Sequence, residues 1–210
     1  MKITVDGREL GQIALLPTRD AVLLPGAVTE LRVGRPVSVA AIRWAMENGG
    51  RLAVVLQKNP GVDAPGPDDL HRVATVGEVI GATRESAEAA AVSVVGVERV
   101  ALEEITSALL ASTRSLGWQP TAPAMPSHFD EALHGFISRF LRKQLNAESN
   151  ARLVLDSVTD RLGAVAAVLD TTPAQLQTML ETADLTLVVR HLERLAKPSL
   201  LERITAWFRD

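Results

Sequence analysis

The four histidines are the residues whose chemistry would be easiest to recognise, because imidazole binds zinc and can activate a bound water. A metalloprotease helix carries two histidines at positions i and i+4, and no pair in this chain has that spacing. His128 and His134 are six residues apart, a spacing that puts them on different faces of a helix. We therefore predict no metal site and no cofactor, and we expect solvent-exposed histidines at positions 71, 128, 134 and 191.

Two pairs of adjacent carboxylates could act in acid–base chemistry. Glu103 and Glu104 fall in a predicted strand, where neighbouring side chains point to opposite faces, so they form a poor catalytic pair. Asp68 and Asp69 follow the Pro-Gly-Pro sequence at residues 65–67, and one of them can accept hydrogen bonds from nearby backbone amides. This pattern favours a rigid, proline-framed loop over a catalytic site.

The chain also lacks the usual sequence motifs for nucleotide binding and for nucleophilic catalysis. A phosphate-binding P-loop needs glycines followed by Lys and Ser or Thr, and none of the four lysines stands in that context. The chain has no Gly-x-Ser-x-Gly motif, although spacing alone leaves a Ser–Lys dyad open. We predict that this chain by itself is not an enzyme, and a small hydrolase is the third and least favoured interpretation.

The composition excludes several partners. The chain has 210 residues, a formal net charge of −3 and no cysteine. A net negative chain without a basic, aromatic-rich patch is not typical of a nucleic-acid-binding protein. The sequence has no apolar run long enough for a membrane span and no signal peptide at its N-terminus, so we expect no membrane partner. The absence of cysteine fits a cytoplasmic location.

The pattern of apolar residues divides the chain into a β-rich half and a helical half. Short β-type runs broken by Gly and Pro predict strands in the first half, and Pro36 and Gly49-Gly50 bound a predicted helix at residues 36–48. We expect a turn within residues 84–91. The predicted strands cover residues 13–16, 29–33, 52–56, 73–80, 92–97, 101–105 and 109–115.

Three prolines within residues 118–126 predict a linker between the two halves. The domain prediction is therefore a β-rich subdomain at 1–117, the linker at 118–126 and an α-helical bundle at 127–210. Within the bundle, Thr172, Pro173 and Gln175 form a capping box with proline at the first helical position. The fold class predicted from these patterns is α+β, with one prominent helix in the β-rich half.

Several short motifs occur in a fixed order along this chain. The motifs are Pro17-Thr18-Arg19-Asp20, Pro25-Gly26, Val33-Gly34-Arg35, Gln57-Lys58-Asn59-Pro60, the Asp-x-Pro-x-Pro-Asp-Asp-Leu loop at 63–70, and Gly96-Val97-Glu98-Arg99-Val100. Together they resemble the N-terminal substrate-recognition domain of the Lon family of ATP-dependent serine proteases, a domain that also occurs alone in small Lon-like proteins.

The resemblance implies a barrel-like β subdomain followed by a helical bundle. It also implies a non-catalytic module that captures unfolded or tagged polypeptides and supports oligomer assembly, since the ATPase and protease modules of the family lie further along its chains. A stand-alone adaptor or scaffold that binds partner proteins is the alternative. The motif residues Arg19 and Asp20 are expected to shape the fold more than to contact a substrate.

Two surfaces are candidates for binding. The first is a short apolar stretch that we expect to be exposed and to hold extended apolar segments of a substrate: Leu23, Leu24, Pro25, Ala27 and Val28. The second is one face of the last predicted helix, which follows the break at Lys197-Pro198 and either packs on its own bundle or docks a partner or second copy. Its residues are Leu201, Ile204, Trp207 and Phe208.

Overall fold

The computed structural model describes residues 3–5, 8–10, 12–84, 89–117, 163, 166, 171–184, 187, 188 and 191. Among these residues, eight strands, one α-helix and a short 3-10 helix (Pro67–Asp69) form the first half, and the second half contributes one bounded helix and five further helical residues. The elements are β1 (Ile3–Val5), β2 (Arg8–Leu10), β3 (Ile13–Thr18), β4 (Val28–Val33), α1 (Pro36–Glu47), β5 (Arg51–Leu56), β6 (Val73–Arg84), β7 (Ala90–Ile105), β8 (Leu110–Ser115) and α2 (Pro173–Glu181).

Strand pairing closes most of the sheet into a ring. β7 pairs with β6 over residues 90–101, and the sheet continues from β6 through β5 and β3 to β8, which pairs with the last part of β7. β4 lies outside this ring and pairs with the first part of β7. All pairings are antiparallel except that of β3 with β5, whose connection passes through α1. The predicted β-rich sheet with one prominent helix is therefore confirmed, and the ring of paired strands is consistent with the expected barrel.

The sequence predicted two separate strands where the structure has one. Residues 92–97 and 101–105 were predicted as separate strands, but β7 runs without a break over 16 residues. Arg99 interrupts the apolar pattern, yet it stays in the ladder opposite Thr75. The register of β6 against β7 shifts after Val76 and after Val79, and such bulges let a long strand bend around a barrel. The small β1–β2 hairpin was not predicted.

The core consists of two apolar clusters on opposite faces of the sheet. Alternate residues of β5 belong to different clusters, with Leu52 and Val54 in one and Ala53 and Val55 in the other. Each buried aliphatic side chain of this size contributes about 1.5–3 kcal/mol relative to an exposed one. Burial on both faces explains why β5 has a continuous apolar sequence instead of an alternating one.

The helix α1 has the boundaries that the sequence predicted to within one residue. It begins with Pro36 at the first helical position and ends before Gly49, whose φ of 91° is a left-handed conformation that favours glycine. Its small residues Ala41 and Ala45 are buried in the first cluster, so the helix lies close to the sheet.

The second half is described in part. The side chain of Thr172 accepts a hydrogen bond from the Gln175 amide and Gln175 bonds back to Thr172, which confirms the predicted capping box at the start of α2. The linker at 118–126 and most of the predicted bundle lie outside the described residues, so the domain division and the bundle stay predictions. No helix among the described residues is long and apolar enough to cross a membrane.

Candidate functional site

The predicted substrate-binding stretch is buried. Leu23, Leu24 and Ala27 are 1%, 2% and 3% exposed, Pro25 is also buried, and Val28 is half-buried. The expectation of exposed apolar surface is therefore corrected at four of its five residues. Leu23 packs against the sheet, where its carbonyl accepts a 2.6 Å hydrogen bond from the Thr75 hydroxyl of β6.

The turn at residues 24–27 lies directly on β7. The Gly26 amide donates to the Gly96 carbonyl at 2.9 Å, and the Gly96 amide donates to the Ala27 carbonyl at 2.8 Å. A Cβ atom at Gly96 would lie 2.1 Å from the Leu24 carbonyl oxygen, far inside van der Waals contact. Glycine at this position is therefore what allows the two backbones to approach.

A second glycine contacts the same turn from the helical half. A Cβ atom at Gly163 would lie 1.9 Å from the Pro25 carbonyl oxygen and 2.9 Å from the Ala27 amide nitrogen. The turn is thus held between Gly96 on one side and Gly163 on the other, and we call residues 24–27 the clamped turn. This contact buries the stretch that the sequence alone placed at the surface.

Arg99 joins β7 to the end of α2. Its side chain is buried, with 5% exposure for the residue, and it donates to the carbonyl oxygens of Leu180, Glu181 and Leu116. The carbonyls of Leu180 and Glu181 belong to the last turn of α2, where backbone acceptors lack intrahelical partners and a cation is favourable. Burial lowers the pKa of the Arg99 guanidinium below its ordinary value.

Two further contacts fix the same end of α2 to the barrel. The Gln177 side-chain amide donates to the Val73 carbonyl at 3.1 Å and to the Glu181 carboxylate at 2.9 Å. The His71 ring nitrogen Nδ1 lies 2.9 Å from the same Glu181 carboxylate. Arg99 and these residues form what we call the seam between the barrel and α2.

Between the clamped turn and α2 lies a cleft of about 360 Å³. Three predicted substrate-binding residues, Leu24, Ala27 and Val28, contribute to its walls. The sequence pattern did not identify the other contributors, which come from the preceding residues Ala21 and Val22, from β4 and from the distant helical half. The described lining consists of residues 21, 22, 24 and 27–30 together with Gly163, Ala166, Thr171 and Leu176.

The family-type motifs meet in a separate group of side chains, which we call the polar cluster: Arg19, Arg35, Gln57 and Asp63. Arg35 donates to the Gln57 side-chain oxygen at 2.5 Å and to the Pro17 carbonyl at 2.6 Å. Arg19 forms an ion pair with Asp63. These contacts connect motifs that are distant in sequence, which supports the structural role expected for Arg19.

Burial and neighbouring charge both act on the polar cluster. Burial is the main cause that lowers the pKa of Arg35, the positive charge of Arg19 lowers it further, and Asp63 opposes both effects. The Gln57 amide donates to the Val62 carbonyl at 2.9 Å, so the side chain anchors the loop that follows β5. The cluster therefore holds loops in place.

The other candidate sites have structural partners. Asp69 accepts a 2.8 Å hydrogen bond from the Gly66 amide, as expected for a proline-framed loop. Glu103 pairs with Arg114 across neighbouring strands. Within the described part of the chain, no group of three or more histidine or acidic side chains is placed to hold a metal ion. The predicted docking residues Leu201, Ile204, Trp207 and Phe208 lie outside the described residues.

Solved structures share this fold. The chain resembles the Lon N-terminal domain protein from Xanthomonas campestris with a TM-score of 0.54 and 18% identity, over 88% of this chain and 96% of that one. It resembles the N-terminal domain of Mycobacterium avium complex Lon protease with a TM-score of 0.56 and 18% identity, over 89% and 96%. At this identity the comparison establishes the fold.

Sequence comparisons point to the same family. The chain is 42% identical over 86 residues to a Lon protease of Nitrosococcus oceani, which covers 40% of this chain and 11% of that protein. It is 39% identical over 72 residues to Lon protease 3 of Sorangium cellulosum, covering 34% and 9%. The chain thus spans about a tenth of the length of the curated relatives it matches. The model of the ATP-dependent protease La (LON) substrate-binding domain matches residues 12–195, and this chain belongs to that family.

Proposed function

We propose that this chain captures unfolded or tagged polypeptides for a Lon-type protease and contributes binding instead of catalysis. The observation that carries the proposal is the cleft between the clamped turn and α2, whose walls combine small aliphatic side chains with the polar residues Thr29, Glu30 and Thr171. A cleft of about 360 Å³ falls at the small end of ligand sites and suits a side chain or two of an extended polypeptide. The motif residues, in contrast, are occupied with structural contacts.

The remaining parts of the proposal rest on family membership. We place the chain in the cytoplasm and propose that it supports oligomer assembly beside ATPase and protease modules. Docking through Leu201, Ile204, Trp207 and Phe208 stays a prediction.

The decisive experiment puts a charge in the cleft. Val28 is half-buried and lines the cleft, so Val28→Glu should weaken binding of a fluorescent, chemically unfolded polypeptide by more than about tenfold, because the carboxylate must be desolvated when the cleft is occupied. The matched control is Val97→Glu, since Val97 is 42% exposed on β7 and does not line the cleft.

Fluorescence anisotropy gives the affinities, and circular dichroism with a thermal melt verifies that both variants fold. Equal affinities for wild type and a folded Val28→Glu variant would rule out the cleft as the binding site.

A further inference from the structure

The strand β4 has a free edge in the described part of the chain. It pairs with β7 on one side, and no other described strand pairs with it. An unpaired edge presents a row of backbone N–H and C=O groups that can bond an added strand. β4 also contributes residues 28–30 to the cleft, so the free edge and the cleft begin at the same place.

The register shows which backbone groups face outward. Gly96 exchanges hydrogen bonds with the turn at Gly26 and Ala27, and hydrogen-bonded positions alternate along an antiparallel pair. From that starting point, Thr29, Leu31 and Val33 bond to β7. Val28 and Glu30 therefore direct their N–H and C=O groups toward the free edge.

One charged residue lies at this position. Glu30 is exposed, and it is the single ionisable side chain among the described residues that line the cleft. It makes no hydrogen bond or ion pair with the part of the chain that the structure describes. Its carboxylate is therefore available to a cation on a bound polypeptide.

Strand periodicity relates the charge to the cleft. Val28 and Glu30 are two residues apart, so their side chains leave β4 on the same face. Residues of an added strand that lie opposite them would also be two apart and on that face. The partner that fits has an apolar side chain beside Val28 and a basic side chain beside Glu30, with one residue between them.

We propose that an extended polypeptide segment adds as a strand to the free edge of β4, with an apolar side chain in the cleft and a Lys or Arg beside Glu30. The inference rests on the proposed function, since it specifies how that site would select its polypeptide. It adds two requirements that apolar capture lacks: backbone hydrogen bonding and a basic residue two positions from the apolar anchor.

Backbone methylation tests strand addition. A short fluorescent peptide with the pattern Leu-x-Arg should bind. Every second amide of the peptide can be N-methylated in two ways, and only one of the two sets should weaken binding. Methyl groups on the amides that face β4 remove hydrogen bonds and should cost about fivefold each, whereas methyl groups on the intervening amides should cost little. Equal effects of the two methylated peptides would overturn strand addition.

A charge swap tests the role of Glu30. Replacing the peptide Arg by Glu should weaken binding to the wild type by about two- to fivefold at low salt, and Glu30→Lys should reverse that preference. Glu104→Lys, an exposed acid on β7 outside the cleft, is the control and should keep the wild-type preference. An unchanged preference in Glu30→Lys would overturn the basic-residue requirement.

Binding of the unfolded polypeptide separates this inference from the proposed function. If Val28→Glu abolishes that binding while methylation and charge swap have no effect, strand addition is wrong and apolar capture stands. If the wild type binds neither the peptide nor the unfolded polypeptide, the proposed function itself fails.

Discussion

The polar cluster and the clamped turn hold distant segments together by different physics. In the polar cluster, Arg35 and Gln57 connect loops through side-chain hydrogen bonds, and the Arg19–Asp63 pair is largely exposed. In the clamped turn, Gly96 and Gly163 allow backbone atoms to meet where no side chain would fit. The first arrangement depends on side-chain hydrogen bonds, of which only the exposed Arg19–Asp63 pair is open to replacement by water, and the second depends on shape alone.

This difference predicts unequal tolerance to substitution. A partly exposed hydrogen bond or ion pair exchanges with water and contributes about 1 kcal/mol or less. A Cβ atom overlapping a carbonyl oxygen requires the backbone to move, which disturbs the packing on both sides. The motif residues that appear most specific in sequence are therefore not equally important to the fold.

The largest effect is expected from Gly96→Ala. The new Cβ would overlap the Leu24 carbonyl and displace the clamped turn, so we expect the free energy of unfolding to fall by about 3 kcal/mol or more. Chemical denaturation measures this loss. Gly81→Ala is the matched control, since a Cβ there would have its nearest contact at an ordinary 3.9 Å. Similar losses for the two variants would remove the distinction between a clamped and an open glycine.

The next largest effect is expected at the seam. Arg99→Met keeps the length of the aliphatic stem but leaves the carbonyls at the end of α2 without their charged donor. Buried unsatisfied acceptors cost about 1–3 kcal/mol each, and relief of the desolvated charge offsets part of that, so we expect a net loss of about 2 kcal/mol.

Amide hydrogen exchange shows where the Arg99→Met variant loses stability. If the contacts of the seam are lost, amides at the end of α2 should exchange faster, and the increase should be larger there than in β5. Arg114→Met is the control, as Arg114 is exposed and pairs with Glu103 at the surface. Unchanged exchange in α2 would mean that Arg99 does not hold the seam.

The local patterns that predicted strands and caps were reliable where neighbouring residues determine the structure. Thr172, Pro173 and Gln175 specify a helix start within four residues, and the structure has that capping box. Continuous apolar residues predicted β5 because both of its faces are buried. The break predicted within β7 falls at residues 98–100, where Arg99 stays in the strand because carbonyls far along the chain accept its hydrogen bonds.

The candidate site could not be predicted to the same extent. Leu24 and Ala27 were predicted to be exposed because turns usually lie at the surface. Their burial depends on Gly163, which no local pattern connects to residues 24–27. The cleft likewise combines β4 with Thr171 and Leu176, so its shape follows from tertiary packing and not from any one segment.

The smallest effect is expected from Arg19→Ala, although Arg19 belongs to one of the most distinctive sequence motifs. The Asp63 side chain is 91% exposed, so water replaces the lost partner, and we expect a change in the free energy of unfolding within about 0.5 kcal/mol. A double-mutant cycle with Asp63→Ala isolates the pair energy by denaturation. A coupling energy above about 1.5 kcal/mol would mean that the polar cluster stabilises the fold about as much as the seam does, because only a desolvated pair reaches that strength.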